Sequence, residues 1–559
     1  MAAYLTTLGL IALFLLVSAL IGIRDRRRQD AGERRALAEA FGKPGAKEYP
    51  DGRFHELPRY LERHRREYVV DDITWNDLDM DLLFRSMDTT SSSAGEEYLY
   101  WLLRTPVTGD LPRCSEEGMH WWKEHDQERI DVQRILQRLG RSGKYSPYEY
   151  LDLMNELPDR KAMQDLAAVI MPVIALIVMA FNPPAGVICL LFVLALNIVS
   201  YFRVKRQIDP YLFTFRYVLR LLDCVNLLAA VPFPHYETEK ESMQSAARSF
   251  KRFARGSGIL LRGNGGNASG NPIDLILDYM CILFHIDLIK FGLMLKELRG
   301  KEEEVDRMIT AIGSIDAQIS IASWRESLPV YCEPVLTGTS FEAEGLIHPL
   351  LNDPVPNDMK TERPVLLTGS NASGKSTFLK AAALAALLSQ SVHTAPARFY
   401  KNTCCRIYTS MALRDDIRTG ESYFIVEIRS LKRILEAASD DSGIPVLCCV
   451  DEVLRGTNTI ERISASAQIL LQLSSLPIQV FAATHDIELT GLLKEIYENY
   501  HFSETITGDD VTFSYQLQEG PADTRNAIRL LRTLGYDDAI ADQAEERAVR
   551  FTKTGHWEL

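Results

Sequence analysis

The chain predicts a P-loop α/β nucleotide-binding domain in its C-terminal third, an all-α region before it, and three transmembrane helices. Three observations carry this expectation. A glycine-rich loop stands between an apolar β-type run and a stretch of strong helix formers. Two later apolar runs end in an acidic pair and in a histidine. Three apolar segments with basic flanks lie within the first 206 residues. At 559 residues the chain is too long for one core, and two or three domains are expected.

The first apolar segment, Tyr4 to Ile23, carries no charge over 20 residues. As a helix it would be about 30 Å long, the thickness of a bilayer's hydrocarbon core. No Lys or Arg precedes it, whereas Arg24, Arg26, Arg27 and Arg28 follow. That asymmetry favours a retained anchor over a cleaved signal peptide, with the N-terminus outside. A second apolar region, Leu166 to Phe202, is interrupted by Asn182-Pro183-Pro184-Ala185-Gly186 and reads as two short helices in a hairpin. Arg160 and Lys161 precede it, and Arg203, Lys205 and Arg206 follow it. Both outer ends therefore face the cytoplasm. A buried hairpin of a soluble core is the competing reading. The expected location is the cell membrane, multi-pass, with the nucleotide-binding domain cytoplasmic.

The formal charge of −13 gives no basic footprint of a dedicated nucleic-acid binder, although a basic stripe can sit on an acidic protein. The nine cysteines include the adjacent pairs Cys404-Cys405 and Cys448-Cys449 and no CxxC spacing. Reduced thiols and no zinc site are expected.

The loop Gly369-Ser370-Asn371-Ala372-Ser373-Gly374-Lys375-Ser376-Thr377 follows the apolar run Pro364–Thr368. Glycines there let successive backbone N–H groups point at phosphates, aided by the N-terminus of the next helix. Lys375 would reach the β- and γ-phosphates of ATP, and the Ser376 hydroxyl would ligate Mg²⁺. The run Ile444–Val450 reads as a strand covered on both faces, and it ends in Asp451-Glu452. Asp451 is expected to hold the Mg²⁺ shell and Glu452 to orient or deprotonate the attacking water. The run Ile478–Ala483 ends in Thr484-His485-Asp486, which makes His485 a sensor of the γ-phosphate.

These motifs resemble the MutS family of ATPases, whose nucleotide domain is of the ABC type. Thr368–Thr377 is similar to the family's TGPNxxGKST, Asp451–Thr459 resembles DEIGRGTST, and Ala483–Leu489 resembles ATHYxEL. Gly420–Glu427 resembles GxSTFxxEM, with Tyr423 in place of Thr; the resemblance implies that Ser422 reaches a partner subunit's nucleotide. Val355-Pro356-Asn357-Asp358 resembles the segment that helps line the adenine pocket, and Phe513–Leu517 a strand that makes Tyr515 a stacking residue. Leu82–Thr90 and Tyr98–Pro106 resemble the opening of the family's helical core, and Gly345–Pro349 the entry to the ATPase domain, with Ile347 where the family has Arg. The expected domains are a membrane anchor at 1–29, a linker at 30–74, a first part of the helical core at 75–160 and the hairpin at 161–206. A helical lever region at 207–344, the ATPase domain at 345–535 and a C-terminal helix at 536–559 follow. Before residue 75 there is room for one membrane helix and a short polar segment, and not for the family's mismatch-reading and connector domains. Within the lever region, Ile273–Leu298 reads as one apolar-rich helix and Lys301–Ile312 as a charged amphipathic one. The stretch from Lys251 to Asn271 reads as a solvated loop, or as a grip on DNA or lipid phosphates through Lys251, Arg252, Arg255 and Arg262.

The resemblance implies a homodimer that binds and slowly hydrolyses ATP with Mg²⁺; with the apolar segments, the expectation is a membrane-anchored form coupled to DNA binding but not to mismatch repair. The alternative is a nucleotide-gated membrane switch whose partner is a protein or lipid. A transporter is a third class, disfavoured by three short spans with few intramembrane polar residues.

Overall fold

A computed structural model describes all residues except 1, 110–112, 144, 157–161, 209–210, 255–278, 371–372, 412–422, 455–456, 508–509, 523–527, 529–530, 533–534, 555 and 557–559. The chain forms two compact units, and neither is one continuous segment. The α/β unit comprises Arg65–Met87, Leu102–Glu116 and Arg325–Leu559; the helical unit comprises Met1–His64, Asp88–Trp101 and Glu117–Trp324.

In the α/β unit, β1 (Phe341–Leu346), β2 (Asn357–Thr361) and β4 (Phe399–Lys401) form a small antiparallel sheet in the order β2-β1-β4. The main sheet contains β3 (Val365–Thr368), β5 (Arg406–Ser410), β6 (Val446–Asp451), β7 (Ile478–Ala483), β8 (Glu498–Thr507) and β9 (Asp510–Glu519), in the order β5-β6-β7-β3-β8-β9. All neighbours are parallel except β8 and β9. Both faces of the parallel part are covered, which is why its strands read as unbroken apolar runs. The Lys375–Val392 helix packs against β5, β6 and β7 and is buried almost all round, as its Ala- and Leu-rich sequence requires. Leu431, Ile434, Leu470 and Leu473, from the helices Tyr423–Ala438 and Thr459–Ser474, join Leu366, Val450 and Val480 in a second core.

The first of the non-contiguous segments has a physical role. Edge strand β5 would leave backbone groups open. Tyr68 donates from its hydroxyl to Ile407 O at 2.7 Å and accepts from Ile407 N at 2.8 Å. The Asp77 carboxylate accepts from Thr409 Oγ1 (2.7 Å) and Met411 N (3.0 Å). Residues expected to be linker and helical core therefore complete the main sheet of the α/β unit. The segment expected as a 30–74 linker carries helices at Arg53–Glu56, Pro58–Arg63 and Asp72–Asp77, with Leu57, Tyr60, Val70 and Trp75 buried.

In the helical unit, Ala2–Ala40 is one continuous helix that runs past the expected anchor; most side chains of its first half lie outside the described residues. The hairpin forms from Ala162–Phe181 and Pro183–Ile208. Its turn is tighter than expected, because Pro183 and Pro184 open the second helix, where prolines are tolerated. Gly186 is required there: a Cβ would lie 2.1 Å from Met179 Cα. Instead of three helices, the described residues hold one, Pro183–Ile208, that is long and apolar enough to cross a membrane. The apolar part of its partner, Leu166–Phe181, is shorter, and about 24 Å of helix falls below the hydrocarbon thickness.

The expected Ile273–Leu298 helix is also corrected. Residues 273–278 lie outside the described residues, and the rest breaks at His285, whose φ is 54°. The cause is Asn197 of the apolar helix, which donates from Nδ2 to Leu283 O at 2.8 Å. That carbonyl is the one a continuous helix would offer to the N–H of residue 287. Asp287 accepts from Tyr201 Oη (2.9 Å) and pairs with Lys205 Nζ (3.0 Å). One cation of the basic flank is thus neutralised within the protein. Most of the Lys251–Asn271 stretch, including Arg255 and Arg262, lies outside the described residues.

Candidate functional site

The sheet register assembles the site. Leu367 of β3 and Asp451 of β6 both stand opposite Ala483 of β7, so the three motif-bearing loops leave one carboxyl edge together. Ligands bind at that edge of a parallel sheet. The first loop turns at Gly369 (φ 144°) and Gly374 (φ 114°). A Cβ on Gly369 would sit 2.7 Å from Phe502 O, so backbone freedom and space both demand glycine. Gly374 caps the N-terminus of the Lys375–Val392 helix.

A cleft of about 540 Å³ opens above this loop. Ser373, Gly374, Lys375, Ser376, Thr377, Asp451, Glu452 and His485 line one part of it; Val355, Asn357 and Tyr515 line another. Gly369 and Ser370 belong to the loop itself. Asn371, Ala372 and Ser422 lie outside the described residues, as do Arg455 and Gly456 of the second motif.

Lys375 Nζ donates to Gly369 O at 2.9 Å and Ser370 O at 2.8 Å, and it is almost fully buried. Ser376 Oγ donates to Asp451 Oδ2 at 2.5 Å, which brings a hydroxyl and a carboxylate together as hard oxygen donors suited to Mg²⁺. Ser373 Oγ is buried and has no hydrogen-bond partner among the described residues, as expected of a group reserved for a ligand oxygen. His485 Nε2 lies 2.6 Å from Glu452 Oε1. The residues present therefore fit a nucleotide phosphate chain with its cation.

Three non-glycine residues here adopt left-handed backbone: Glu452 (φ 63°), Leu454 (φ 61°) and Tyr515 (φ 53°). Such conformations cost on the order of 1–3 kcal/mol each and cluster at functional sites. Asn357 fixes the far wall, donating from Nδ2 to Tyr515 O at 3.1 Å and accepting from Leu517 N at 2.7 Å.

Sequence reasoning did not assign His348, Phe502 or Asp353 to the cleft, which they also line. His348-Pro349 was the available signal for the first; Phe502 reaches the loop only through the sheet order. Burial, reinforced by the Lys380 ammonium and opposed by Asp79, lowers the His348 pKa from 6.5 to about 4. Its Nδ1 accepts from Leu350 N at 3.3 Å. An unfolded imidazole takes its proton near pH 6.5 and the folded one only near 4, so His348 removes stability as pH falls through that window. The loss approaches about 3 kcal/mol below pH 4. His348→Gln is expected to lower Tm less than wild type does between pH 7.5 and 5. Parallel losses in the two proteins would refute a neutral, buried His348.

The model of MutS domain V matches residues 365–552. The chain is 30% identical over 269 residues to a protein named DNA mismatch repair protein MutS from Natronomonas pharaonis, covering 46% of this chain and 31% of that protein. It is 33% identical over 258 residues to another of that name from Symbiobacterium thermophilum, covering 43% and 29%. A protein named DNA mismatch repair protein MutS 2 from Halobacterium salinarum is 31% identical over 255 residues, covering 44% and 29%. The chain thus spans about three tenths of the length of these curated relatives.

Proposed function

Since the C-terminal half of the chain is of the MutS family, carrying its domain V, we propose that the protein is an ATPase that switches a homodimer at a membrane and acts on DNA. The observation that carries this reading is the single cleft lined by Lys375, Ser376, Asp451, Glu452 and His485. Lys375 would leave the two loop carbonyls for the phosphates, and Ser373 and the helix N-terminus would take phosphate oxygens. Mg²⁺, held by Ser376 and Asp451, would neutralise charge developing on the transferred phosphoryl group. Glu452 would orient the attacking water, with His485 beside it. Asn357, Val355 and Tyr515 would hold the base, and Ser422 would complete the partner's site.

The membrane reading is supported by the exposed apolar face of Pro183–Ile208, including Ile188, Phe192 and Val199, and by the basic residues beyond it. We place the N-terminus outside and the ATPase unit in the cytoplasm, with the Ala2–Ala40 helix crossing once and the hairpin entering and returning, so that residues 65–87 stay on the side of β5. DNA is the preferred ligand because the matched relatives are named for DNA mismatch repair. Mismatch repair itself is not proposed, because the helical region between Asp209 and Glu342 is short for long levers with a DNA clamp.

The test uses the full chain in lipid nanodiscs, because residues 65–87 complete β5 and a C-terminal fragment would lack them. Fluorescence anisotropy would follow binding of branched, duplex and single-stranded DNA, with and without ATP, across a salt series. Expected is ATP-modulated binding whose log–log salt slope steepens by about 0.9 per phosphate neutralised on duplex DNA. No binding at low salt, with ATP binding intact, would replace this reading by a nucleotide-gated switch with a protein or lipid partner. The acidic balance of the chain suits that second reading.

A further inference from the structure

We propose that Glu427 is a positioning residue that holds the loop after β6 in the strained shape that aims Glu452 into the cleft. The inference rests on the ATPase reading above. Between Glu452 and Leu454 the backbone is left-handed on both sides of Val453, a shape these side chains do not adopt by preference. Surrounding bonds must therefore impose it.

Three bonds do so. Glu452 N donates to Ala483 O at 2.9 Å, which continues the sheet by one residue. Ser466 Oγ donates to Val453 O at 3.0 Å. Leu454 N donates to Glu427 Oε1 at 2.5 Å. The first two hold Glu452 and Val453, and the third holds Leu454. Val453 and Leu454 are buried, so water cannot replace a lost acceptor there. Glu427 is itself 2% exposed on the Tyr423–Ala438 helix, which packs on the sheet. A buried carboxylate is costly unless it is hydrogen-bonded. It is a strong acceptor, and a short charge-assisted bond resists the relaxation of Leu454 to ordinary backbone. Glu427 does not line the cleft, so its effect on chemistry passes through Glu452.

The test compares Glu427→Gln, which keeps an oxygen acceptor, with Glu427→Met, which keeps bulk without it. Both are made in the full chain, with Kd for ATP·Mg²⁺ and kcat measured separately. The Met variant is expected to bind within threefold of wild type and to lose at least 30-fold in kcat. The Gln variant is expected to recover kcat to within threefold. Wild-type kcat in the Met variant would overturn the proposal, and so would loss of ATP binding in it, since that marks a role in overall folding. A Gln variant as slow as Met would overturn the accepted bond as the cause. If wild-type protein neither binds nor hydrolyses ATP, the ATPase reading itself fails, a result distinct from any of these.

Discussion

Lys375→Ala is expected to raise the Kd for ATP·Mg²⁺ at least about 100-fold, measured by titration calorimetry on the full chain. The ammonium is buried at the base of the cleft and its two visible acceptors are loop carbonyls, Gly369 O and Ser370 O. Bonds to a charged donor contribute about 1.5–3 kcal/mol each. A phosphate chain that displaces the carbonyls would gain contacts of this kind together with direct charge neutralisation. Losing about 3 kcal/mol corresponds to a little over 100-fold in affinity. Alanine also leaves the loop carbonyls without their donor, so the empty loop loses definition as well. A Kd within threefold of wild type would sink the assignment of this loop to phosphate binding.

Glu452→Gln is expected to separate binding from turnover. Gln has the same shape and keeps an oxygen beside His485, so the cleft and the Ser376–Asp451 pair should persist. What it loses is the carboxylate that accepts a proton or orients water, a contribution of about 10²–10⁴ in rate. ATP binding should remain within about threefold while single-turnover hydrolysis falls at least about 100-fold. If hydrolysis is unchanged, the attacking water is handled elsewhere and the paired His485 loses its expected role.

The chemistry was legible in the sequence wherever local order dictated it. The apolar run, glycine loop and Ala-rich helix around Lys375 each have a local physical cause, and the acids after Val450 and the histidine after Ala483 follow from strands in a parallel sheet. That these strand ends converge depends on register, yet the order of the motifs already implied it. Other features had no local signal. Tyr68 and Asp77 satisfy the β5 edge through side-chain bonds, which leave no hydrophobic period behind. Glu427 sat inside a recognised motif, but its bond to Leu454 N joins a helix to the loop after β6, far apart in sequence. The break at His285 is imposed by Asn197, which lies far away in sequence, so an apolar stretch with helical character still divides. The count of three spans failed on length, because Leu166–Phe181 has the composition of a span without its reach.

The dependence of β5 on residues near the N-terminus sets a timetable for biosynthesis. Thr74 Oγ1 accepts from Thr409 N across 335 residues of chain. At about 5–20 residues per second, the ribosome makes the later partner roughly 17–67 s after the earlier one. Throughout that interval the Tyr68–Asp77 segment has no sheet edge to cap, while the apolar hairpin emerges between the two. The early segment must therefore stay apart until β5 is made, and that edge can be capped as soon as the strand appears.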